Sequence, residues 1–119
     1  MKNMALVFCV LLMLGSVTGL NAQSGGFSGP SLTVIAVYEA MNLRDDTPVL
    51  LQGRILRFLG NEKYLFADDT GTIIIDIDDR LWGNISVNEN DLIEIYGEVD
   101  RGFRSVEIEA DRIKKLNND

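Results

Sequence analysis

The feature that most constrains the fold is a two-residue period of apolar side chains that starts after Pro48. Val49, Leu51 and Ile55 share one phase, and the same period returns along most of the remaining chain. A period of two is typical of a β-strand with one buried face. Separated by turn residues, the repeats predict five strands, at about 49–56, 63–67, 72–78, 92–99 and 103–110.

The order of these strands and their connections favours a small barrel. Gly53 interrupts the first strand, where a glycine marks a bend. Hairpin turns and one longer third connection, at 79–90, join the strands. Five strands with a bent first strand predict a mainly β protein, a five-stranded OB-fold barrel.

One short helix is predicted before the barrel. Val34, Val37, Tyr38 and Met41 recur at helical spacing, which predicts a helix from about Thr33 to Leu43, with Thr33 capping its first turn. The third connection shows no helical repeat, so we expect the N-terminal helix to cover one barrel end instead. The β-forming residues at 34–38 leave a strand as the alternative.

The N-terminus has the pattern of a targeting segment. An apolar run from Met4 to Val17 follows Lys2 and gives way to small and polar residues, and a transmembrane helix would need about 20 apolar residues. We predict a signal peptide at 1–22, cleaved after Ala22, a flexible Gly/Ser-rich leader at 23–32, an OB-fold domain at 33–116 and a polar tail at 117–119. Cleavage at a neighbouring bond and retention as an anchor are the alternatives. Export implies a periplasmic protein, with no stable membrane span after cleavage.

Most reactive side chains are missing from the sequence. It contains no histidine, and its one cysteine, Cys9, lies inside the predicted signal peptide. The mature chain would therefore contain no disulfide, thiolate metal site or cysteine nucleophile. We predict a protein that is not an enzyme and needs no cofactor, with a paired-carboxylate hydrolase as an open alternative.

Net charge argues against nucleic acid, the usual ligand of OB folds. The chain carries a formal charge of −7, which repels phosphate backbones. Strands two and three, the usual binding face, offer Lys63 and Tyr64 but also Asp76 and Asp78. We therefore expect no nucleic-acid partner.

Aromatic and arginine side chains near the predicted turns are the candidate ligand contacts. Flat rings supply contact area at low entropic cost, which points first to Trp82. OB barrels often bind ligands near the turns joining strands one to two and four to five. The candidate ligand-binding residues are Trp82, Tyr64, Arg57, Arg101 and Arg104. The alternatives are an indole that packs over an open barrel end and arginines that only solubilise the surface.

An acidic cluster supplies a second candidate site. Asp76, Asp78 and Asp79 carry the oxygen ligands that divalent cations prefer, and Asp68 and Asp69 lie nearby in sequence. Their spacing does not fit an EF-hand loop. Hairpin residues and a solvated strand face are the alternative interpretation.

An ordered set of short motifs resembles one bacterial family. The motifs are Gly25-Gly26-Phe27, Gly29-Pro30, Leu43-Arg44-Asp45-Asp46-Thr47, Tyr64-Leu65-Phe66, Asp69-Thr70-Gly71, Ile75-Asp76-Ile77-Asp78, Trp82-Gly83 and Gly97-Glu98-Val99-Asp100. The set resembles the bacterial OB-fold (BOF) family, the YgiW/YdeI-type periplasmic stress-tolerance proteins. The resemblance implies an OB barrel with a signal peptide, a link to envelope or chemical stress, no established enzymatic activity and no agreed ligand.

Together these features predict a non-catalytic binding or adaptor protein of the periplasm that takes part in stress tolerance. Its expected partner is an envelope protein, a peptidoglycan fragment or a small molecule. Exposed strand edges would suit a protein partner, because their backbone groups can pair with another strand. Weak divalent-cation binding by the acidic face is the alternative function, and an unrecognised hydrolase is the third.

Overall fold

The computed structural model describes residues 32–117. The predicted signal peptide and nearly all of the predicted leader lie outside the described residues. Within residues 32–117, no helix is long and apolar enough to cross a membrane.

All five predicted strands are present. They are β1 (Pro48–Gly60), β2 (Lys63–Asp68), β3 (Gly71–Asp76), β4 (Ile93–Arg101) and β5 (Val106–Lys115). Asn61 and Glu62 join β1 to β2 and both have positive φ, 55° and 65°. Two such residues form the tight hairpin turn whose twist matches that of the strands.

The strands close into a barrel in the order β1-β2-β3-β5-β4, with β4 paired back to β1. Every pair is antiparallel except β3 with β5, which run parallel. This order is that of an OB-fold barrel, and the predicted fold class is confirmed.

Gly53 is the point at which β1 changes partner. Residues Pro48 to Gly53 pair with β4, and residues Arg54 to Gly60 pair with β2. A Cβ atom at position 53 would lie 2.2 Å from the carbonyl oxygen of Ala67. The two backbones can approach this closely only because position 53 has no side chain.

The barrel interior is filled almost entirely by aliphatic side chains. Its largest fully buried members are Phe66, Leu51, Ile75, Ile77, Ile93, Ile95, Ile108, Val37, Val49 and Val99. Burying one such side chain contributes about 1.5–3 kcal/mol to stability. The core follows the two-residue period of the sequence, which is why the strands could be predicted.

The helix is shorter than predicted and begins differently. The α-helix, α1, spans only Val37–Ala40, and Thr33 does not cap it. Instead, Val34 forms a bridge with Leu50 of β1, and the Ile35 N–H donates to the Leu50 carbonyl at 3.0 Å. Val34 and Ile35 thus pair with the barrel through one isolated bridge, no strand forms in this segment, and only part of the predicted helix is present.

The β2–β3 loop holds the start of α1 against the barrel. The backbone N–H of Val37 donates to Asp68 Oδ2 at 2.8 Å, and that of Tyr38 donates to Thr70 Oγ1 at 3.0 Å. Val37 and Ala40 are buried in the core, whereas the predicted apolar positions Tyr38 and Met41 are exposed. Of the four predicted apolar positions, only Val37 therefore packs inward.

The third connection contains a 3-10 turn at Asp79–Leu81 and no α-helix, as expected. The fifth strand was placed too early, because it begins at Val106 and not at Phe103. Phe103 lies in the β4–β5 turn, where the Gly102 N–H donates to the Ser105 carbonyl at 2.8 Å. β5 then continues to Lys115, five residues beyond its predicted end.

Candidate ligand-binding groove

A groove of about 460 Å³ lies between the second half of β1 and the segment that precedes β4. One rim is formed by residues 55–58 of β1 and the other by residues 85–89, while Tyr64 and Trp82 complete the lining. Clefts of this size, with mostly apolar walls and a few polar groups, are typical small-ligand and peptide sites. We call it the aromatic groove.

Three aromatic rings form a continuous row in this groove. The ring centroids of Phe58 and Tyr64 lie 5.0 Å apart, and those of Tyr64 and Trp82 lie 5.5 Å apart in an edge-to-face arrangement. Tyr64 is directly opposite Phe58 in the β1–β2 pair. Phe58 nevertheless remains 59% exposed, so the row offers an open aromatic surface.

Trp82 lies between the hydrophobic core and the groove. The indole is half-buried and packs against the hydrophobic core, as the structural alternative predicted. It also lines the groove and contacts Tyr64. Its Nε1 atom is buried and has no hydrogen-bond partner among the described residues, which is uncommon for an indole N–H.

Arg57 places a positive charge on the β1 rim of the groove. It is exposed and forms no ion pair or hydrogen bond with any described side chain. A register shift between Ile55 and Arg57 indicates a β-bulge, which re-aims the side chains that follow. Of the five predicted ligand-binding residues, Arg57, Tyr64 and Trp82 are thus brought together.

Asp91 fixes the opposite rim to the barrel. Its carboxylate accepts from the Asn88 backbone N–H at 2.8 Å and from Asn117 Nδ2 at 3.0 Å, and Lys115 Nζ lies 3.6 Å away. These donors, the Asn117 amide first, hold the pKa of Asp91 below its ordinary value. The rim residues that follow Ile85 are therefore held by the end of β5.

Arg101 and Arg104 are not part of this groove. Arg101 Nη2 donates to the carbonyls of Met41 at 2.8 Å and Leu43 at 2.7 Å, so it ties the segment after α1 to β4. Arg104 lies in the β4–β5 turn, with its guanidinium carbon 6.0 Å from the centre of the Phe103 ring. The two predicted residues occupy a separate surface.

Two of the three candidate cation ligands are engaged by different basic residues, whereas Asp79 is held through its backbone N–H, which donates to Glu62 Oε2 at 2.8 Å. Asp76 lies 3.5 Å from Lys63 Nζ, which also contacts Glu107 at 2.6 Å. Asp78 pairs with Arg80 at 2.9 Å, and hydrogen bonds from Arg80 lower the pKa of Asp78 to about 2. Nowhere in residues 32–117 do three histidine, cysteine, aspartate or glutamate side chains form a group that could hold a metal ion.

Asp68 is a structural carboxylate. Burial opposes its ionisation, but hydrogen bonds from the Thr70 hydroxyl and from the backbone N–H groups of Val37, Thr70 and Gly71 outweigh that effect and lower its pKa. Asp68 therefore stays ionised and holds the start of α1. It is unsuited to act as a general acid near neutral pH.

A closed barrel with this strand order and a groove beside its first hairpin defines an OB-fold protein. Within that class, the chain belongs to the bacterial OB fold (BOF) family, whose model matches residues 15–115. The Protein YgiW of Escherichia coli K12 is 40% identical over 130 residues, covering 98% of this chain and 99% of YgiW. The calcium-regulated OB-fold protein CarO of Pseudomonas aeruginosa is 33% identical over 95 residues, covering 78% of this chain and 82% of CarO.

Solved structures agree with this assignment. The structure of YgiW from E. coli matches with a TM-score of 0.71 and 46% identity, covering 78% of this chain and all of that one. The telomere capping protein Ten1 of Schizosaccharomyces pombe matches with a TM-score of 0.58 at 14% identity, covering 71% and 81% of the two chains. The second likeness concerns the fold alone.

The sequence reasoning missed Phe58 and the rim at residues 85–89. Phe58 follows the β-bulge, so it no longer fits the alternation of buried and exposed residues along β1. The sequence pattern therefore does not identify it as a surface residue. The signal that was available is the apolar run Leu56, Phe58 and Leu59, all more than 40% exposed in the structure. Such a cluster on one strand is uncommon on a surface without a binding role.

Proposed function

We propose that this protein is a non-catalytic binding or adaptor module of the bacterial periplasm, which contributes to envelope or chemical stress tolerance by holding a ligand in the aromatic groove. The ligand is an envelope protein, a peptidoglycan fragment or a small molecule. The observation that carries the proposal is the row of Phe58, Tyr64 and Trp82 beside the unpaired guanidinium of Arg57.

The chemistry of the groove suits binding. Its aromatic rings provide apolar contact area, while Arg57 and Glu89 supply charged groups at the two rims that can orient a ligand. The position beside the β1–β2 turn is one at which OB barrels commonly bind. The sequence contains no histidine, and the lowered pKa values of Asp68, Asp78 and Asp91 keep these carboxylates ionised and unable to donate protons near neutral pH.

The proposed location and stress role have different support. Export is supported by the apolar run and small residues at the N-terminus, and the stress role by membership of the BOF family. Complementation of a deletion strain tests both at once. We expect the wild-type gene, but not one lacking codons 2–22, to restore growth under oxidative or detergent challenge.

The groove itself is tested by affinity capture from envelope extracts. Phe58→Ala is the informative variant, because Phe58 is 59% exposed and its loss leaves the core intact. Trp82→Ala is less suitable, since the indole packs against the core. Phe103→Ala is the matched control, as Phe103 is 98% exposed on a different turn.

We expect Phe58→Ala to lose at least 80% of the captured ligand at equal folded protein, a loss of about 1 kcal/mol or more in binding. Phe103→Ala should capture as much as the wild type. Equal capture by the wild type and Phe58→Ala would contradict the proposal, as would turnover of an envelope substrate by the purified protein.

A further inference from the structure

The second half of β1 has one free edge. β4 pairs with β1 only up to Gly53, whereas residues Arg54 to Gly60 pair with β2 on their other edge. Among the described residues, no strand pairs with the β4-facing edge beyond Gly53. The backbone groups along this edge are therefore available to a further strand.

The opposite rim of the aromatic groove also has unused backbone groups. Residues 85–88 belong to no helix, strand or turn. Val87 contributes neither its N–H nor its carbonyl to any hydrogen bond within residues 32–117, and Ser86 uses only its carbonyl, which accepts from Lys115 Nζ at 3.1 Å. The groove is thus bordered on both sides by backbone that can pair.

Side chains on the two faces of β1 differ in character. In the β1–β2 pair, Ile55 and Phe58 lie opposite Phe66 and Tyr64, which are two residues apart and so share a face. Arg54 and Arg57 lie opposite Ala67 and Leu65, so they share the other face. An added strand would meet an aromatic surface on one face and two arginines on the other.

The two arginines are exposed and have no ionic partner in the described part of the chain. They place positive charge on this edge, although the chain as a whole carries a formal charge of −7. Cross-strand pairs of opposite charge stabilise a sheet, and like charges opposite each other destabilise it. The two arginines therefore favour a partner strand that carries acidic residues on the face that meets them.

We propose that the occupant of the aromatic groove is an extended segment of a partner protein that adds to the free edge of β1 as a further strand, with apolar and acidic residues alternating along it. Its apolar residues contact Phe58, Tyr64 and Trp82, and its acidic residues pair with Arg54 and Arg57. This inference rests on the proposed function and specifies the class of ligand. A second copy of the chain fits the edge poorly, because an antiparallel pair would bring the arginines of both copies together.

A synthetic peptide probe tests the proposal directly. A nine-residue peptide that alternates valine or phenylalanine with aspartate or glutamate is titrated into the full protein, and backbone amide shifts are followed by NMR. We expect the largest shifts at residues 54–60 and 85–89. A peptide with lysine at the acidic positions should bind at least tenfold more weakly.

Two comparisons separate strand addition from simple apolar contact. Two further peptides are N-methylated, one at the odd residues and one at the even residues, so that each lacks the N–H donors along one edge. At least one of them should bind at least tenfold more weakly than the unmethylated peptide, because it cannot form the backbone hydrogen bonds of strand addition. The double variant Arg54→Glu, Arg57→Glu should reverse the preference in favour of the lysine peptide. Arg104→Glu, on a different turn, should leave the preference unchanged.

Failure of this inference is distinguishable from failure of the proposed function. Loss of capture by Phe58→Ala together with no peptide binding, or with both methylated peptides binding as tightly as the unmethylated peptide, would leave the groove as a binding site and overturn strand addition. Concentration-dependent dimerisation through residues 54–60 would instead assign the edge to a second copy, which also overturns it.

Discussion

Gly53 and Gly97 let strands approach more closely than any side chain would allow. A Cβ atom at position 97 would lie 2.3 Å from the Glu109 carbonyl oxygen, much as one at position 53 would meet Ala67. Both contacts are with backbone, which cannot move aside as a flexible side chain can. β1 bends at Gly53, between the half that pairs with β4 and the half that lines the groove. This bend thus depends on the absence of a side chain at position 53.

Gly53→Ala is expected to destabilise the fold by about 3 kcal/mol or more, because the new Cβ overlaps backbone in a packed interior. The measurement is urea unfolding at neutral pH. Gly71→Ala is the control, since a Cβ there meets only a Val37 methyl group at 3.9 Å, and its stability should change by less than about 1 kcal/mol. Equal stability of Gly53→Ala and the wild type would contradict the close approach.

Asp91 makes the groove rim sensitive to acid. The pKa of Asp91 is lowered in the folded state. The contribution of its carboxylate to the free energy of unfolding is therefore complete above the ordinary pKa of about 4, and it is lost as the pH falls through the lowered pKa. Asp91→Asn should lower the free energy of unfolding at pH 7 and lose less stability than the wild type between pH 5 and pH 2. Thermal unfolding across this range checks both expectations.

Asp111→Asn is the control for that series. Asp111 is an exposed residue of β5 that takes part in no ion pair within residues 32–117. Its replacement should change the free energy of unfolding at pH 7 by less than about 0.5 kcal/mol. An identical acid slope for Asp91→Asn and the wild type would show that the rim is held by other contacts.

Among the secondary-structure elements, the strands could be predicted from the sequence, whereas the helix could be predicted only in part. Each strand alternates between the barrel interior and solvent, so its pattern is local and can be read from sequence. The segment at 33–43 is different, because Val34 and Ile35 pair with β1 while Val37 and Ala40 pack inward from a single helical turn. That division depends on Asp68 and Thr70, which lie more than 30 residues away.

Arg101 holds the segment after α1 in the same non-local way. Arg101→Ala should destabilise the protein by about 1 kcal/mol, a value reduced for solvent exposure, because its guanidinium donates to the carbonyls of Met41 and Leu43. Hydrogen exchange should also increase at residues 41–45. Arg104→Ala should change neither quantity, and equal effects of both variants would contradict the specific role of Arg101.

At the scale of the whole molecule, the candidate site combines residues that only the closed barrel brings together. Arg57 and Tyr64 come from the first hairpin, and Trp82 follows the 3-10 turn of the third connection. The sequence identified these three as separate candidates, but it could not separate them from Arg101 and Arg104. That separation follows from the barrel topology, which places the β4–β5 turn on another surface.

Charge on the usual OB binding face argues against polyanions at this scale. Lys63, the cation there, is held by Glu107 and Asp76, and the hydrogen bond to Glu107 raises its pKa. We expect no binding of a single-stranded oligonucleotide at physiological salt, measured by fluorescence anisotropy. Saturable binding that weakens with salt would contradict this expectation.

Site-specific photo-crosslinking in living cells shows whether the physiological ligand occupies the aromatic groove. A benzophenone amino acid replaces Phe58 in one variant and Phe103 in another, and the irradiated proteins are purified and weighed by intact mass spectrometry. We expect adducts at position 58 and none at position 103. Adducts at position 103 with none at position 58 would contradict the proposed function.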